Sequence, residues 1–151
     1  MGLFYHTTKV GAAVVAGNDV MTFAAGATRS CRIVAVFASG EGNASAANEF
    51  AFFRTTTLGV TGSAPIVPAP TNTAAGAFSG VVNTAWAIQP VVSTAGMARF
   101  AVNSNGGVFA KSLTDLEKID IPGGAAAASS VSLRCVSGSG TIGFTVVIEE
   151  F

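Results

Sequence analysis

Short runs in which apolar residues alternate with polar or small ones recur along the whole chain, each ended by glycine, asparagine or proline. A period of two is the pattern of a β-strand with two different faces, and the turn residues separate one strand from the next. The clearest runs cover residues 30–38, 48–56, 129–136 and 141–149. The sequence therefore predicts an all-β protein with about eight strands and almost no helix.

A proline-rich segment, residues 57–78, separates the earlier strands from the later ones. Its prolines cannot donate the hydrogen bonds that a central strand requires, so we interpret it as a long ordered connection. Eight antiparallel strands form either a closed barrel or a two-sheet sandwich, whose eight-strand form is the jelly roll. A long crossing connection favours the sandwich, and we predict an antiparallel, jelly-roll-like β-sandwich.

The length of 151 residues suits a single domain. We predict an N-terminal arm over residues 1–12 and one β-sandwich domain over residues 13–151. Long connections in a compact domain often contact a partner. The predicted partner contacts in the arm and in the connection are Phe4, Tyr5, Pro65, Pro68 and Pro70.

Phenylalanines supply the strongest core signal, because three of them fall within four residues of one predicted strand. Cys31 alternates with Ile33, Ala35 and Phe37, which places all four on one face of another strand. The predicted core residues are Cys31, Phe50, Phe52, Phe53, Trp86 and Cys135.

The two cysteines lie far apart in sequence and form no Cys-x-x-Cys pair, so no zinc or redox motif is present. Two buried free thiols are the favoured interpretation, since no secretory signal is recognised. A disulfide between an early and a late strand is the alternative, and it requires a short distance between the two Cα atoms.

Charge is scarce: only 11% of the residues are Asp, Glu, Lys or Arg, and the net charge is zero, whereas about 25% charged residues is usual. A compact chain of this size exposes roughly 7,000 Å², which leaves about one charge per 440 Å². Weakly charged, neutral surfaces favour association. We therefore expect part of the outside to be buried against other copies of the chain or against another protein.

The scattered basic residues argue against a nucleic-acid partner, since such proteins carry clustered or excess Lys and Arg. No apolar run approaches the 18 residues that a membrane span needs, so no membrane partner is expected. The N-terminus lacks the basic region of a signal peptide. We expect synthesis in the cytoplasm.

Candidate catalytic groups are few. His6 is the single histidine and falls in the predicted arm. Glu149 and Glu150 are adjacent and would face opposite sides of a strand, so they cannot act as an acid and base pair. Asp115 and Glu117 lack the spacing of a calcium loop and are interpreted as solvated charges. We predict no catalytic, cofactor or metal site and expect that the chain is not an enzyme.

The chain resembles capsid cement or decoration proteins of tailed bacteriophages, which are small virion structural proteins. The segments that carry this resemblance are Ser30-Cys31-Arg32-Ile33, Phe53-Arg54-Thr55-Thr56, Trp86, Pro122-Gly123-Gly124 and the ending Thr145-Val146-Val147-Ile148-Glu149-Glu150. The resemblance implies a jelly-roll-like homotrimer on the outside of a phage head, clamping neighbouring major capsid subunits. An alternative is a receptor- or carbohydrate-binding sandwich of a phage tail or fibre, in which an exposed Trp86 would stack on a sugar.

Overall fold

The computed structural model describes residues 2–62, 65–124 and 130–151. Within these ranges the chain forms strands and turns, with no helix. The strands are β1 (Leu3–Ala13), β2 (Asp19–Ala24), β3 (Cys31–Glu41), β4 (Ala47–Thr57), β5 (Val60–Thr61), β6 (Ala69–Pro70), β7 (Val81–Asn83), β8 (Trp86–Ile88), β9 (Val91–Asn103), β10 (Asn105–Ser112), β11 (Ile119–Ile121), β12 (Ser130–Ser137) and β13 (Thr141–Glu150).

Eight of these strands are long, and they divide into two antiparallel sheets. Sheet A has the order β10–β3–β13–β1, and sheet B has the order β2–β12–β4–β9. Along the chain, β1 to β4 alternate between the sheets, β9 stays in sheet B with β4, and β10, β12 and β13 alternate again. This connectivity of two four-stranded sheets is that of a jelly roll. The predicted antiparallel β-sandwich is confirmed.

Five strands of two or three residues add to this frame and bring the described total to thirteen. β6 extends sheet A beside β1, β7 extends sheet B beside β2, and β11 pairs with β3. β5 and β8 pair only with each other and form a small separate ribbon. Four of the five lie between β4 and β9, so the predicted connection is longer than 57–78 and runs on to residue 90. Residues 63–64 of that connection, and residue 129 of the predicted run 129–136, lie outside the described ranges.

One apolar cluster fills the space between the sheets. Phe50 of β4 lies with its ring centroid 4.9 Å from that of Phe144 on β13 and 5.6 Å from that of Phe100 on β9. Phe100 stacks on Phe109 of β10 at 4.4 Å. The aromatic rings therefore join both sheets. The residues predicted to point inward on the last strand, Ile142, Phe144, Val146 and Ile148, are all buried.

The two cysteines lie in different sheets, Cys31 on β3 of sheet A and Cys135 on β12 of sheet B. Both are buried free thiols in the apolar cluster. The favoured interpretation from the sequence is confirmed, and the alternative disulfide is wrong.

Strand β3 changes phase near its middle, which corrects one predicted face. Its pairing with β13 shifts between Ile33 and Ala35, so one extra residue, Val34, is accommodated there. After this bulge the inward positions are Val36 and Ala38. Phe37, predicted to share a face with Cys31, therefore lies on the outside and is 41% exposed.

Two predicted core residues do not belong to the central cluster. Phe53 is buried, but it alternates with Phe52 and lies on the outer side of sheet B, where its ring approaches Gly96. Trp86 lies on the short strand β8 and is half-buried. The prediction of Trp86 as core is wrong, because the β5–β8 ribbon lies outside the two packed sheets.

The predicted N-terminal arm over residues 1–12 is also wrong for the residues described. Residues from Leu3 onward form β1, which is hydrogen-bonded to β13 on one side and to β6 on the other. Tyr5 and Thr7 point into the sandwich and are buried. The segment is therefore an internal strand of sheet A.

Candidate functional site

The outer face of sheet A has no charged residue over the middle of its four long strands. Ala110, Phe37, Thr145 and Thr8 lie side by side across β10, β3, β13 and β1. Similar uncharged rows lie above and below this one. We define the uncharged face by its members: His6, Thr8, Val10, Ala35, Phe37, Ser39, Val108, Ala110, Ser112, Gly143, Thr145 and Val147.

Large apolar side chains protrude from the uncharged face. Val10 is 78% exposed and Val108 is 80% exposed, and with Phe37 they border a shallow depression of about 260 Å³ that Glu41 also lines. Strand spacing and rise give the face an area on the order of 400 Å². Part of this area is polar, because the face also includes His6, Thr8, Ser39, Ser112 and Thr145. The exposed apolar part around Val10, Phe37 and Val108 is of the kind that often marks an interaction site.

Charged groups bound this face at its two ends. At one end the Glu41 carboxylate accepts hydrogen bonds from the Gly11 backbone N–H at 2.9 Å and from the Ser39 hydroxyl at 3.2 Å. At the other end Arg32 lies 3.6 Å from Glu149 and 4.2 Å from the ring centre of Phe151. These charges are engaged within the chain, which leaves a low-polarity centre between them.

A second apolar surface lies on the β5–β8 ribbon and the chain beside it. We define the apolar ribbon cluster as Leu58, Val60, Ile88 and Val91, each about half exposed or more. Val60 and Ile88 are paired across the ribbon, and Val91 is paired with the last residue of β4. The ribbon joins strands of sheet B, so this cluster is distinct from the uncharged face of sheet A.

The predicted partner contacts separate into exposed and buried residues. Phe4 and Pro65 are exposed and remain available for contact. Tyr5 and Pro68 are buried, so the structure corrects their prediction as contacts. Pro70 is half-buried in β6, where it pairs with Tyr5. The connection folds back on the sandwich, which covers part of the proline-rich segment.

Glu150 holds the connection against sheet A. Its buried carboxylate accepts a hydrogen bond from the Ser79 backbone N–H at 3.0 Å and another from the Ser79 hydroxyl. The Arg29 guanidinium lies 3.0 Å from the same carboxylate. Burial raises the pKa of Glu150, but the hydrogen bonds from Ser79 and the charge of Arg29 lower it by a larger amount. The pKa of Glu150 therefore lies below its ordinary value.

Trp86 borders a polar pocket of about 250 Å³ at one end of the sandwich. The pocket lies between the end of β1, the start of β2 and the residues around β8, and it is also lined by Lys9, Asn18, Asp19 and Gln89. The Lys9 ammonium donates to the carbonyl oxygens of Val20 at 3.1 Å and Thr84 at 3.4 Å. Burial lowers the pKa of Lys9.

Asp19 is buried beside this pocket and forms an ion pair with Arg134. Burial raises the pKa of Asp19, although Arg134 and the nearby hydroxyls of Ser132 and Thr22 oppose this effect. Arg134 also donates to the Pro90 carbonyl at 2.8 Å. The pair therefore anchors the start of β9 to sheet B.

The other charged residues considered from the sequence lie apart. His6 is exposed on the uncharged face. Asp115 pairs with Lys118, and Glu117 pairs with Lys111, as expected for solvated charges. Over the described ranges, no group of three or more His, Cys, Asp or Glu residues is placed to hold a metal ion.

Comparisons with protein-family models, with curated proteins and with solved structures find no match for this chain. In the part of the chain that the structure describes, no helix is long and apolar enough to cross a membrane.

Sequence reasoning missed two residues that matter for these surfaces, Lys9 and Glu150. Both continue the inward alternation of their strands, Lys9 after Tyr5 and Thr7, and Glu150 after Ile148. A charged residue at an inward position signals a buried partner or a pocket. The alternation therefore predicts that Lys9 and Glu150 point inward. Their charge alone suggests exposed residues near the ends of strands.

Proposed function

We propose that this chain is a non-enzymatic structural protein of a virion, which binds the outside of a phage head and stabilises the lattice of the major capsid protein. The observation that carries the proposal is the uncharged face of sheet A, on which Val10, Phe37 and Val108 are exposed to water. An eight-stranded jelly roll is a frequent fold of viral capsid domains.

The proposed assembly is a homotrimer in the form of a closed ring. Each contact in such a ring joins two different surfaces, one from each neighbour. The chain has two apolar surfaces on different sheets, the uncharged face and the apolar ribbon cluster. We place the uncharged face of one copy against the apolar ribbon cluster of the next, which removes Val108 and Ile88 from water.

Stabilisation of the shell would follow from mass action. A protein that binds the assembled lattice, and has no affinity for its separated subunits, shifts the equilibrium toward the assembled state. The proposed contacts with the major capsid protein are two exposed residues: Phe4, which lies next to His6 at the end of the uncharged face, and Pro65, on the connection. The expected location is the head surface, after synthesis in the host cytoplasm.

The test compares virions of the encoding phage with virions from a strain in which the gene is deleted. The proposal expects the protein on the outside of mature heads by cryo-electron microscopy, and expects heads without it to release their genome at lower temperature. Protein found only free in the lysate, with heads of unchanged heat stability, would contradict the proposal.

A matched pair of variants separates capsid binding from folding. Phe4→Ser removes an exposed aromatic ring from the proposed capsid contact, whereas Leu116→Ser changes a residue that is 99% exposed on a distant turn. The proposal expects Phe4→Ser to lower occupancy on heads and Leu116→Ser to leave it unchanged. Equal occupancy of the heads by the two variants would show that Phe4 does not contact the capsid.

A further inference from the structure

We propose that the pocket beside Trp86 binds an acidic sugar, a pyranose ring that carries a carboxylate. The pocket measures about 250 Å³. This is slightly below the roughly 300–1,000 Å³ of pockets for drug-sized ligands, and it suits a single sugar ring. The pocket adjoins the apolar ribbon cluster, because Trp86 and Ile88 lie on the same strand β8. None of its described lining residues belongs to either surface of the proposed assembly, so this inference goes beyond the proposed function and is tested separately.

Trp86 supplies the apolar wall that a sugar ring requires. It is half-buried on β8 and lies outside the apolar core cluster. A Trp in this position presents both a flat apolar surface and an N–H donor at the rim of a polar space. The C–H face of a pyranose packs against such a ring while its hydroxyls reach the polar lining.

Lys9 supplies a positive charge that the surrounding chain does not neutralise. Its ammonium donates to the carbonyls of Val20 and Thr84, and an ammonium has three N–H donors, so one donor remains. Among the described residues, none of the ion pairs involves Lys9. Burial lowers the pKa of Lys9, and no neighbouring carboxylate offsets that effect. A half-buried, unpaired ammonium in a pocket favours an anionic ligand.

Among the described residues that line the pocket, Asp19 is the one acidic residue, and its ion pair is with Arg134 and not with Lys9. The Asp19 side chain is fully buried in this pair. Its backbone N–H donates to the Gln89 side-chain oxygen at 2.9 Å. That hydrogen bond fixes the Gln89 amide and leaves its two N–H donors for a ligand. Lys9, Gln89 and the Trp86 indole thus present donors, which match carboxylate and hydroxyl oxygens.

Trp86 is the only tryptophan in the chain, so its fluorescence reports directly on this pocket. The test titrates the purified protein with glucuronate and with N-acetylneuraminate, using glucose as the neutral control and acetate as the control for a simple anion. We expect a saturable change in Trp86 emission with at least one acidic sugar, at tenfold lower concentration than with glucose or acetate. No saturable change with either acidic sugar, or equal affinity for glucose or acetate, would overturn the proposal.

Lys9→Gln removes the charge and keeps the length of the side chain, and Lys118→Gln is the matched control on a distant turn. We expect Lys9→Gln to weaken binding of the acidic sugar at least tenfold and Lys118→Gln to leave it unchanged. Trp86→Phe, followed by calorimetry, provides a second variant that does not alter Lys9 and is also expected to weaken binding. Unchanged binding in both pocket variants would overturn the assignment. The mass of Lys9→Gln in solution should equal that of the wild type, which separates this result from the proposed assembly.

Discussion

The carboxylate of Glu150, on the last strand, accepts a hydrogen bond from the backbone N–H of Ser79 at 3.0 Å, across 71 residues of sequence. Ser79 lies in the connection between β4 and β9, directly after the proline-rich segment 57–78. Arg29 completes the contact with an ion pair to the same carboxylate at 3.0 Å. This small, partly buried network therefore connects the long connection between β4 and β9 to the end of β13 in sheet A.

Glu150→Ala should destabilise the fold, because it leaves the partly buried Ser79 N–H without its acceptor. Loss of one partner from a buried hydrogen bond costs about 1–3 kcal/mol, and the exposed Arg29 adds little because water solvates it. Glu49→Ala is the control, since its ion pair with Arg99 is half-exposed and is worth less than about 1 kcal/mol. Urea unfolding measures both variants. Equal losses would show that the Glu150 network contributes nothing specific.

Acid should weaken the contribution of Glu150 to stability. Its folded pKa lies below the ordinary value, so the stabilisation by the ionised carboxylate is complete above a pH of about 4.3. It is lost as the pH falls through the folded pKa. The free energy of unfolding of the wild type should therefore exceed that of Glu150→Gln at pH 5, and this difference should disappear by pH 2, as measured by urea unfolding. A difference in free energy of unfolding that stays constant or grows on acidification would contradict the stabilising role of the ionised Glu150 carboxylate.

The two cysteines should not react with thiol reagents in the folded protein. Burial, together with the charge of Glu150, raises the pKa of Cys31 to about 12, and burial raises the pKa of Cys135 to about 11. Because the thiolate is the reactive form, both thiols are expected to be inert at pH 8. Labelling with a chromogenic disulfide reagent, with and without denaturant, measures this. Rapid labelling of the native protein would place a thiol outside the core.

The fold class followed from the sequence because sheets with a buried face impose a period of two on side chains. The last strand shows this clearly, since Ile142, Phe144, Val146 and Ile148 all lie inward as predicted. The prediction failed where the period changes. The bulge at Val34 reverses the faces of β3, and nothing in the local sequence marks it, because residues on both sides of it are apolar.

The surfaces were harder to predict than the core. Tyr5 was interpreted as part of a free arm because chain ends lack local signals of pairing, yet its strand is held between two others. The uncharged face depends on which residues of four distant strands come into register, and the register is set by long-range pairing. Low charge predicted that such a face exists, but only the topology places Phe37, Thr8 and Val108 together.

The ring arrangement makes a specific prediction for two variants. Val108→Asp disables the uncharged face, and Ile88→Asp disables the apolar ribbon cluster, so each variant alone should be monomeric. In a mixture, one variant supplies an intact face and the other an intact cluster, so one contact forms and dimers result. Native mass spectrometry distinguishes these species. Failure of the mixture to form dimers would exclude the proposed pairing of surfaces.

The most direct test of the account is the mass of the wild-type protein in solution, measured by light scattering over a wide range of concentration. The account predicts a constant mass equal to three copies of the 15.0 kDa chain, and a monomer for Val108→Asp. A wild-type protein that remains a monomer at every concentration would contradict the claim that the uncharged face of sheet A is buried between copies.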